Sequence, residues 1–421
     1  MVLRPGWFPE YSPAEQAIFD RVNSIIEKHY KSFWYYHIYT PAVETNNVLL
    51  AKSGNETSKQ IFWLYGLAQW WEDLKEYSLH FDLTIPFARY ILDHEGEITF
   101  PFKRYQIQPV RRWERSQRGR FKEFWQCDID TVWRTETKDS MMFYDAETLI
   151  VIANALEEIR MAYFSKKTIT LHYNNRKLIN WLLESYKNKD EIFWLFDKYY
   201  KIWAEKFEEE LKILTQGEDT NKILEFVKKP KTYLSHSRSE EWIQELLELE
   251  SYLEKMNVHN YKLVFDPFIT RGLDYYTGTV YETFFEDDMS LGSISSGGRY
   301  DGLTKYIDTK RNFSGVGWSI WISRIIALIF EMWEWTKQTI TNYMCINFSE
   351  TFGDISKIAD KLRNEWNNVE MYPVADKLGK QFGYADKKTI PYVVILGEWE
   401  KEKWIYKIKN MKTWEEQEIA L

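Results

Sequence analysis

The sequence predicts an α+β chain with a β-rich body, a helical insertion and a small C-terminal α/β domain. Three observations carry that prediction. At ~150 residues per domain, 421 residues allow two or three domains. β-like segments at 104–113, 123–133, 261–268 and 277–285 flank a stretch, 176–258, that is helical in pattern, rich in Lys, Glu, Leu and aromatics, and poor in glycine. The last stretch, 340–421, alternates strand and helix patterns.

Residues 14–30 place Ala17, Ile18, Val22, Ile25 and Ile26 at helical spacing, with Ser12-Pro13 as cap and first-turn proline. HIYTPAVE (37–44) reads as short β structure, and Pro41 marks an edge or an interface. Residues 79–92 read as a turn into a helix. RYQIQPVRRW (104–113) and EFWQCDIDTVW (123–133) read as strands joined by a polar connector in which Gly119 is the turn residue. DAETLIVIANALEEIRMAYF (145–164), rich in Ala, Leu and Glu, is a long helix. After the helical stretch, YKLVFDPF and TGTVYETFF read as strands, SISSGGRYDG (293–302) as a glycine-rich turn, and 315–330 as strand, turn and helix. Towards the C-terminus, strands at 342–349, 368–373, 391–398 and, last, 404–410 alternate with helices at 354–366 and 375–389.

Composition removes several classes of function. Hydrophobic residues are 44% and charged residues 28%, as in a folded globular chain rather than a disordered one. Apolar runs such as 325–330 fall far short of the ~18 residues a membrane helix needs. The first residues, MVLRPGWFPEYSPAEQ, lack the apolar stretch of a signal peptide, so a cytoplasmic location is expected. Cys127 and Cys345 form no CxxC pair, and His37, His80, His94 and His172 form no HxxxH or HExxH pattern, so no resident metal site is expected. The net charge of −8 argues against a uniformly basic nucleic-acid binder and leaves room for a local basic patch.

Such a patch is present. Residues 103–122 carry eight basic side chains, among them Arg112, Arg115 and Arg120, against the single acid Glu114. On two strands and their loop this charge suits phosphates, either of a nucleotide triphosphate, a nucleic-acid end or both; a solvated hairpin is the plain alternative. RGLDYYTG (271–278) opens with an arginine at the end of a β segment. Arg271 would clamp a carboxylate or phosphate, or serve structure only. If 275–276 is strand, Tyr275 and Tyr276 face opposite sides.

With these stretches in view, the chain resembles the histidyl-tRNA synthetase family of class II aminoacyl-tRNA synthetases over essentially its whole length. TPAVE (40–44) resembles motif 1, RRWERSQRGRFKEFWQCDID (111–130) motif 2, and GVGWSIWISRI (315–325) motif 3. RGLDYYTG and SSGGRYDGL (295–303) resemble the two histidine signatures. The resemblance implies an antiparallel-sheet catalytic domain in two parts, 1–175 and 259–335, a helical insertion at 176–258, and an anticodon-binding domain at 340–421. It implies ATP-dependent activation of L-histidine to histidyl-adenylate and transfer to the 3′ end of tRNA(His), with Mg2+ accompanying ATP, by a homodimer. Asp82 and Thr84 would bind the substrate ammonium, Gln126 would bridge its amino and carboxylate ends, and Asp130 with Tyr275 and Tyr276 would face the imidazole. Arg112 and Arg271 would hold the carboxylate and α-phosphate. Glu114, Arg120 and Arg324 would hold adenine and the γ-phosphate, and Gln117 and Arg115 are candidates for the first base pair of the tRNA. A reading from another class is a non-catalytic, histidine-sensing regulatory paralogue of histidine biosynthesis. Such proteins usually lack the anticodon domain and lose motif 2 or signature arginines, whereas Arg112, Arg271 and residues 342–421 are present here.

The departures from the family pattern are mostly tryptophan. Glycine is 18 of 421, where ~7% usage would give ~29, and tryptophan is 20. Trp34, Trp70, Trp71, Trp133, Trp181, Trp321, Trp404 and Trp414 fall where the family usually has glycine, and Trp366 and Trp399 lie in polar, turn-like contexts. One explanation is an aromatic-rich protein with interface tryptophans. The other is that UGA codons meaning glycine have been written as tryptophan, with some tryptophans genuine.

Overall fold

The computed structural model describes residues 5–51, 58–66, 76–135, 142–215, 219–233, 240–256, 262–270, 275–332 and 339–421. Trp70, Trp71 and Arg271 lie outside the described residues. The chain divides into two compact units, Met1–Pro9 with Val22–Ile329, and Glu10–Arg21 with Phe330–Leu421.

The first unit is built on an eight-stranded sheet. Its order is Tyr36–His37, Phe102–Arg111, Glu123–Arg134, Phe313–Ile320, Ser295–Asp301, Thr279–Phe285, Ile169–Asn175, Lys262–Phe265. The two outermost pairings are parallel and the five between are antiparallel. Strand side chains alternate between faces. Register therefore puts Arg104, Gln106 and Gln108 beside Asp130, Asp128 and Gln126 on one face, with Gly315, Gly317 and Ser319 on the adjoining strand. The opposite face carries Thr279, Tyr281 and Arg299, which meet Asp145 of the helix Met142–Tyr163. Asp145 is fully buried and ion-paired with Arg299, which ties that helix to the back of the sheet.

On the front, a three-stranded sheet, Val43–Thr45, Tyr77–Leu79, Trp63–Leu64, precedes the helix Thr84–His94. Asp82 Oδ1 accepts from the Ile85 amide at 3.2 Å, satisfying one free donor at that helix start. The helical stretch appears as Arg176–Leu183, Lys189–Asp197, Ala204–Thr215, Thr220–Lys228, Pro230–Tyr233 and Glu241–Lys255. Phe196, Phe207, Leu211, Ile223 and Phe226 are buried within it.

The second unit holds a five-stranded sheet ordered Val369–Met371, Tyr343–Cys345, Tyr392–Ile395, Ile405–Asn410, Glu416–Ala420, with the helices Phe352–Asn364 and Leu378–Lys387. The first three strands are parallel and the last two form an antiparallel hairpin. The strand Glu416–Ala420 goes beyond the expected final strand at 404–410. Its pattern, EQEIA, is mostly polar because it is an exposed edge.

Two local expectations are corrected. SISSGGRYDG is no turn: Ser295–Asp301 is a central strand. A Cβ at Gly297 would sit 2.2 Å from the Gly317 carbonyl oxygen, and one at Gly298 would sit 2.6 Å from the Thr279 carbonyl oxygen and 2.8 Å from Tyr276 Cδ1. The glycines permit close approach inside a sheet rather than a reversal. Tyr275 and Tyr276 lie outside strand structure, and their rings, 4.7 Å apart, turn towards the same cavity instead of opposite faces.

Candidate active site

The polar front face of the sheet closes around one cavity. Its walls include Asp82, Thr84, Arg112, Gln126, Tyr275 and Tyr276 from the expected set, joined by Asp128, Ser296, Tyr300, Gly317, Ser319 and Trp321. Free space inside is about 20 Å³, room for about one water.

Acceptors dominate the interior. Asp82 Oδ2, Gln126 Oε1 and Asp128 Oδ1 are buried with no hydrogen-bond partner among the described residues. Gln126 Nε2 donates to Ser319 Oγ at 3.1 Å, which orients its amide. Burial pushes the Asp82 carboxyl up to about 7 against the pull of Arg112. Burial likewise raises Asp128 to about 6 and Asp130 to about 7, each against the pull of Arg104. Two desolvated carboxyls at the cavity wall, Asp82 and Asp128, with open acceptor capacity favour a ligand that brings cationic N–H donors.

Asp130 is placed differently from the expectation. It does not line the cavity but lies one layer back, paired with Arg104 Nη2 at 2.6 Å and accepting from the Tyr300 hydroxyl at 2.6 Å. A Cβ on Gly317 would fall 2.0 Å from its Oδ1, so glycine there makes room for the carboxylate. Arg104 is fully buried and lies 4.4 Å from the Phe87 ring centre. The sequence does not mark Asp128, Tyr300 or Ser319, and it offers Arg104 only as one of the basic side chains of 103–122. Period-two alternation from Gln126 and Asp130 was the available signal for Asp128.

Arg112 stands at the cavity wall, its Nε donating to the Phe81 carbonyl at 2.9 Å and its guanidinium 5.2 Å from the Phe124 ring centre. The 111–123 connector turns at Gly119, whose φ is +66°. It brings Arg120 Nη1 to 3.7 Å from Glu114 Oε2. Arg120 and Arg324 converge beside Gly292, where a Cβ would meet their guanidinium nitrogens at 3.9 and 3.3 Å. Arg115 and Gln117 on the same connector are exposed. Arg324 is 5% exposed, hydrogen-bonded to the Ser293 carbonyl, with its guanidinium 4.4 Å from the Trp321 ring centre. Burial, with Arg120 nearby, lowers its pKa to about 9.

Known proteins show the same organisation. A family profile described as histidyl-tRNA synthetase matches residues 8–325, and one described as an anticodon binding domain matches 344–421. A histidine–tRNA ligase of Clostridium tetani is 36% identical over 438 residues, covering 100% of this chain and 96% of that protein. The crystal structure of histidyl-tRNA synthetase from a Nostoc species superposes with a TM-score of 0.86 at 31% identity, covering 99% of this chain and 96% of that one. A Bacillus halodurans structure described as an ATP phosphoribosyltransferase regulatory subunit/histidyl-tRNA synthetase shares the fold, with a TM-score of 0.71 at 20% identity over 91% of this chain and 96% of that one. From the cavity, the sheet that builds it and these full-length likenesses together, the chain belongs to the histidyl-tRNA synthetase family.

Proposed function

We propose that this chain is a histidine–tRNA ligase in which the acceptor-rich cavity, closed to about one water's room without ligand, widens to hold L-histidine and the Arg120–Arg324 side receives ATP. The observation that carries the reading is that Asp82, Thr84, Arg112, Gln126, Tyr275 and Tyr276, drawn from distant segments, share one cavity.

In this reading Asp82 Oδ2 and the Thr84 hydroxyl accept from the substrate ammonium, and Gln126 spans its amino and carboxylate ends. Asp128 at the wall, with Tyr276, answers the imidazole N–H groups, and Asp130 acts from one layer back through the Tyr300 hydroxyl it holds. An apolar side chain of similar shape would leave these carboxyls unpaired, which rejects it by ~10⁴ or more. Arg112 aligns the substrate carboxylate with the α-phosphate, and Arg271 neutralises the charge on the other side. A carboxylate oxygen attacks the α-phosphorus in line as the bond to pyrophosphate breaks. The terminal ribose hydroxyl of tRNA(His) then attacks the acyl carbon and AMP departs. Glu114, Arg120 and Arg324 hold adenine and the γ-phosphate.

The family uses ATP, and Mg2+ comes with it as part of the substrate. Residues 1–175 and 259–335 form the catalytic domain, 176–258 the insertion and 340–421 the anticodon-binding domain. A homodimer through the motif 1 segment and a cytoplasmic location complete the reading; no described helix is long and apolar enough to cross a membrane. Histidine-dependent ATP–pyrophosphate exchange tests it. Exchange is expected; its absence from a folded, histidine-binding protein would favour the regulatory paralogue.

A further inference from the structure

Six non-glycine residues among those described adopt left-handed φ, and five are tryptophan: Trp7 (69°), Trp34 (64°), Trp366 (63°), Trp404 (57°) and Trp414 (65°). The sixth is Thr389 (56°). Tryptophan is only 20 of 421 residues, so this concentration is not a matter of abundance. A bulky side chain at such φ crowds the following carbonyl, and glycine is the residue that avoids the clash.

The hydrogen bonds say what these positions are. At the end of the helix Pro13–Ser32, the Trp34 amide donates to the Lys31 carbonyl at 3.0 Å and the Tyr35 amide to Tyr30 at 3.2 Å. At the end of Phe352–Asn364, the Trp366 amide donates to Arg363 at 3.0 Å and the Asn367 amide to Leu362 at 3.1 Å. Both are Schellman closures with tryptophan at the left-handed position that glycine usually fills. Trp404 follows the helix Glu398–Glu402 in the same conformation, its amide bonded to Lys401. Trp414 occupies the left-handed site of the hairpin joining Ile405–Asn410 to Glu416–Ala420, its amide bonded to Asn410. At Trp366, 96% exposed, and Trp34, 79% exposed, the side chains supply no reason to be there. Five strained sites together cost an amount of the same order as a domain's whole net stability.

A sixth tryptophan is out of place for another reason. Trp321 lies between Phe313–Ile320 and Ile322–Met332, and its carbonyl accepts from the Arg324 amide at 3.0 Å, so it is the helix N-cap. N-caps favour Ser, Thr, Asp, Asn and glycine. Its indole covers the Arg324 guanidinium, the group assigned above to ATP; this part of the argument rests on that assignment.

We infer that the native polypeptide carries glycine at 7, 34, 321, 366, 404 and 414, because its gene spells these positions UGA and its translation system reads UGA as glycine. Trp133 lacks this signature. Its φ is not left-handed, and it is buried against Tyr144 and Arg299, so the conformational argument does not extend to it. Trp125, mid-strand where large aromatics are favoured, is expected to be encoded by UGG.

The gene sequence and peptide masses of the protein isolated from its source test this. UGA at the six positions, with glycine in the matching peptides, is the expected result; UGG or a tryptophan peptide at any of them overturns the inference. A second measurement is independent of the codons. The full chain carrying Trp366→Gly, Trp404→Gly and Trp414→Gly should melt on the order of 10 °C above the chain as written; an equal or lower midpoint overturns the argument from strain. Adding Trp321→Gly should strengthen ATP binding at least tenfold, and no gain overturns the claim that the indole obstructs the ATP side. Absence of pyrophosphate exchange in the variant with the higher melting point would count against the ligase reading alone.

Discussion

Arg104→Met removes a buried cation whose charge acts on three buried carboxyls while keeping much of its volume. Arg104 pairs with Asp130 at 2.6 Å, and its charge also pulls on Asp128 and Asp82. Stripping one partner from a buried ion pair costs ~3–5 kcal/mol, but only while the remaining partner is charged. Asp130 titrates at about 7 in the folded chain, well above an ordinary carboxyl. A folded-state pKa raised in this way means stability that is full at low pH and is lost as pH rises through that value. Without Arg104 the folded pKa moves higher still. At pH 6 Asp130 is mostly neutral in both proteins, and the variant should lose only ~1–2 kcal/mol in hydrogen bonds and packing. Above about pH 7 the gap should widen by ~1.4 kcal/mol per unit until the variant's carboxyl ionises. Urea denaturation of both proteins at pH 6 and pH 8.5, followed by the loss of helical signal, should show ~2 kcal/mol more separation at the higher pH. A gap that stays constant or narrows would refute the view that Arg104 is there to hold charge on Asp130.

Asp82→Asn should weaken L-histidine binding about 10- to 100-fold by calorimetry, because an amide offers the ammonium no charge. In the unaltered chain affinity should fall as pH drops below about 7 and Asp82 takes up a proton; the variant should lose that part of the slope. Arg112→Lys should lower the exchange rate by ~10²–10³, since an ammonium cannot bridge carboxylate and phosphate as a planar fork does. Asp145→Ala should destabilise the chain by ~3–5 kcal/mol by leaving Arg299 buried and unpaired, with histidine affinity per folded molecule unchanged.

Much of this site was legible before any coordinates. Gln126, Arg112 and Asp82 stand in segments that the family resemblance marks, and all three line the cavity, while hydrophobic spacing located the main helices. Legibility failed where tertiary packing overrides local signals. Gly297 and Gly298 read as a turn because glycine usually marks one; their function, admitting Tyr276 and the neighbouring backbone, exists only once the strands are side by side. Arg104 looked like part of a phosphate-binding patch, because one basic residue among eight does not announce that its strand turns it inward. Asp128 shares a strand face with Gln126 and Asp130, a signal that period-two alternation alone carries.

The helix ends closed by Trp34, Trp366 and Trp404 reach beyond folding. With glycine spelled UGA from position 7 onward, a ribosome of the ordinary dialect would release a stub of six residues. The gene would then be unreadable to any translation system that stops at UGA, and unable to rescue such a neighbour that acquired it. A supply line for charged tRNA would in this way double as a border, held by the same backbone turns that shape the protein.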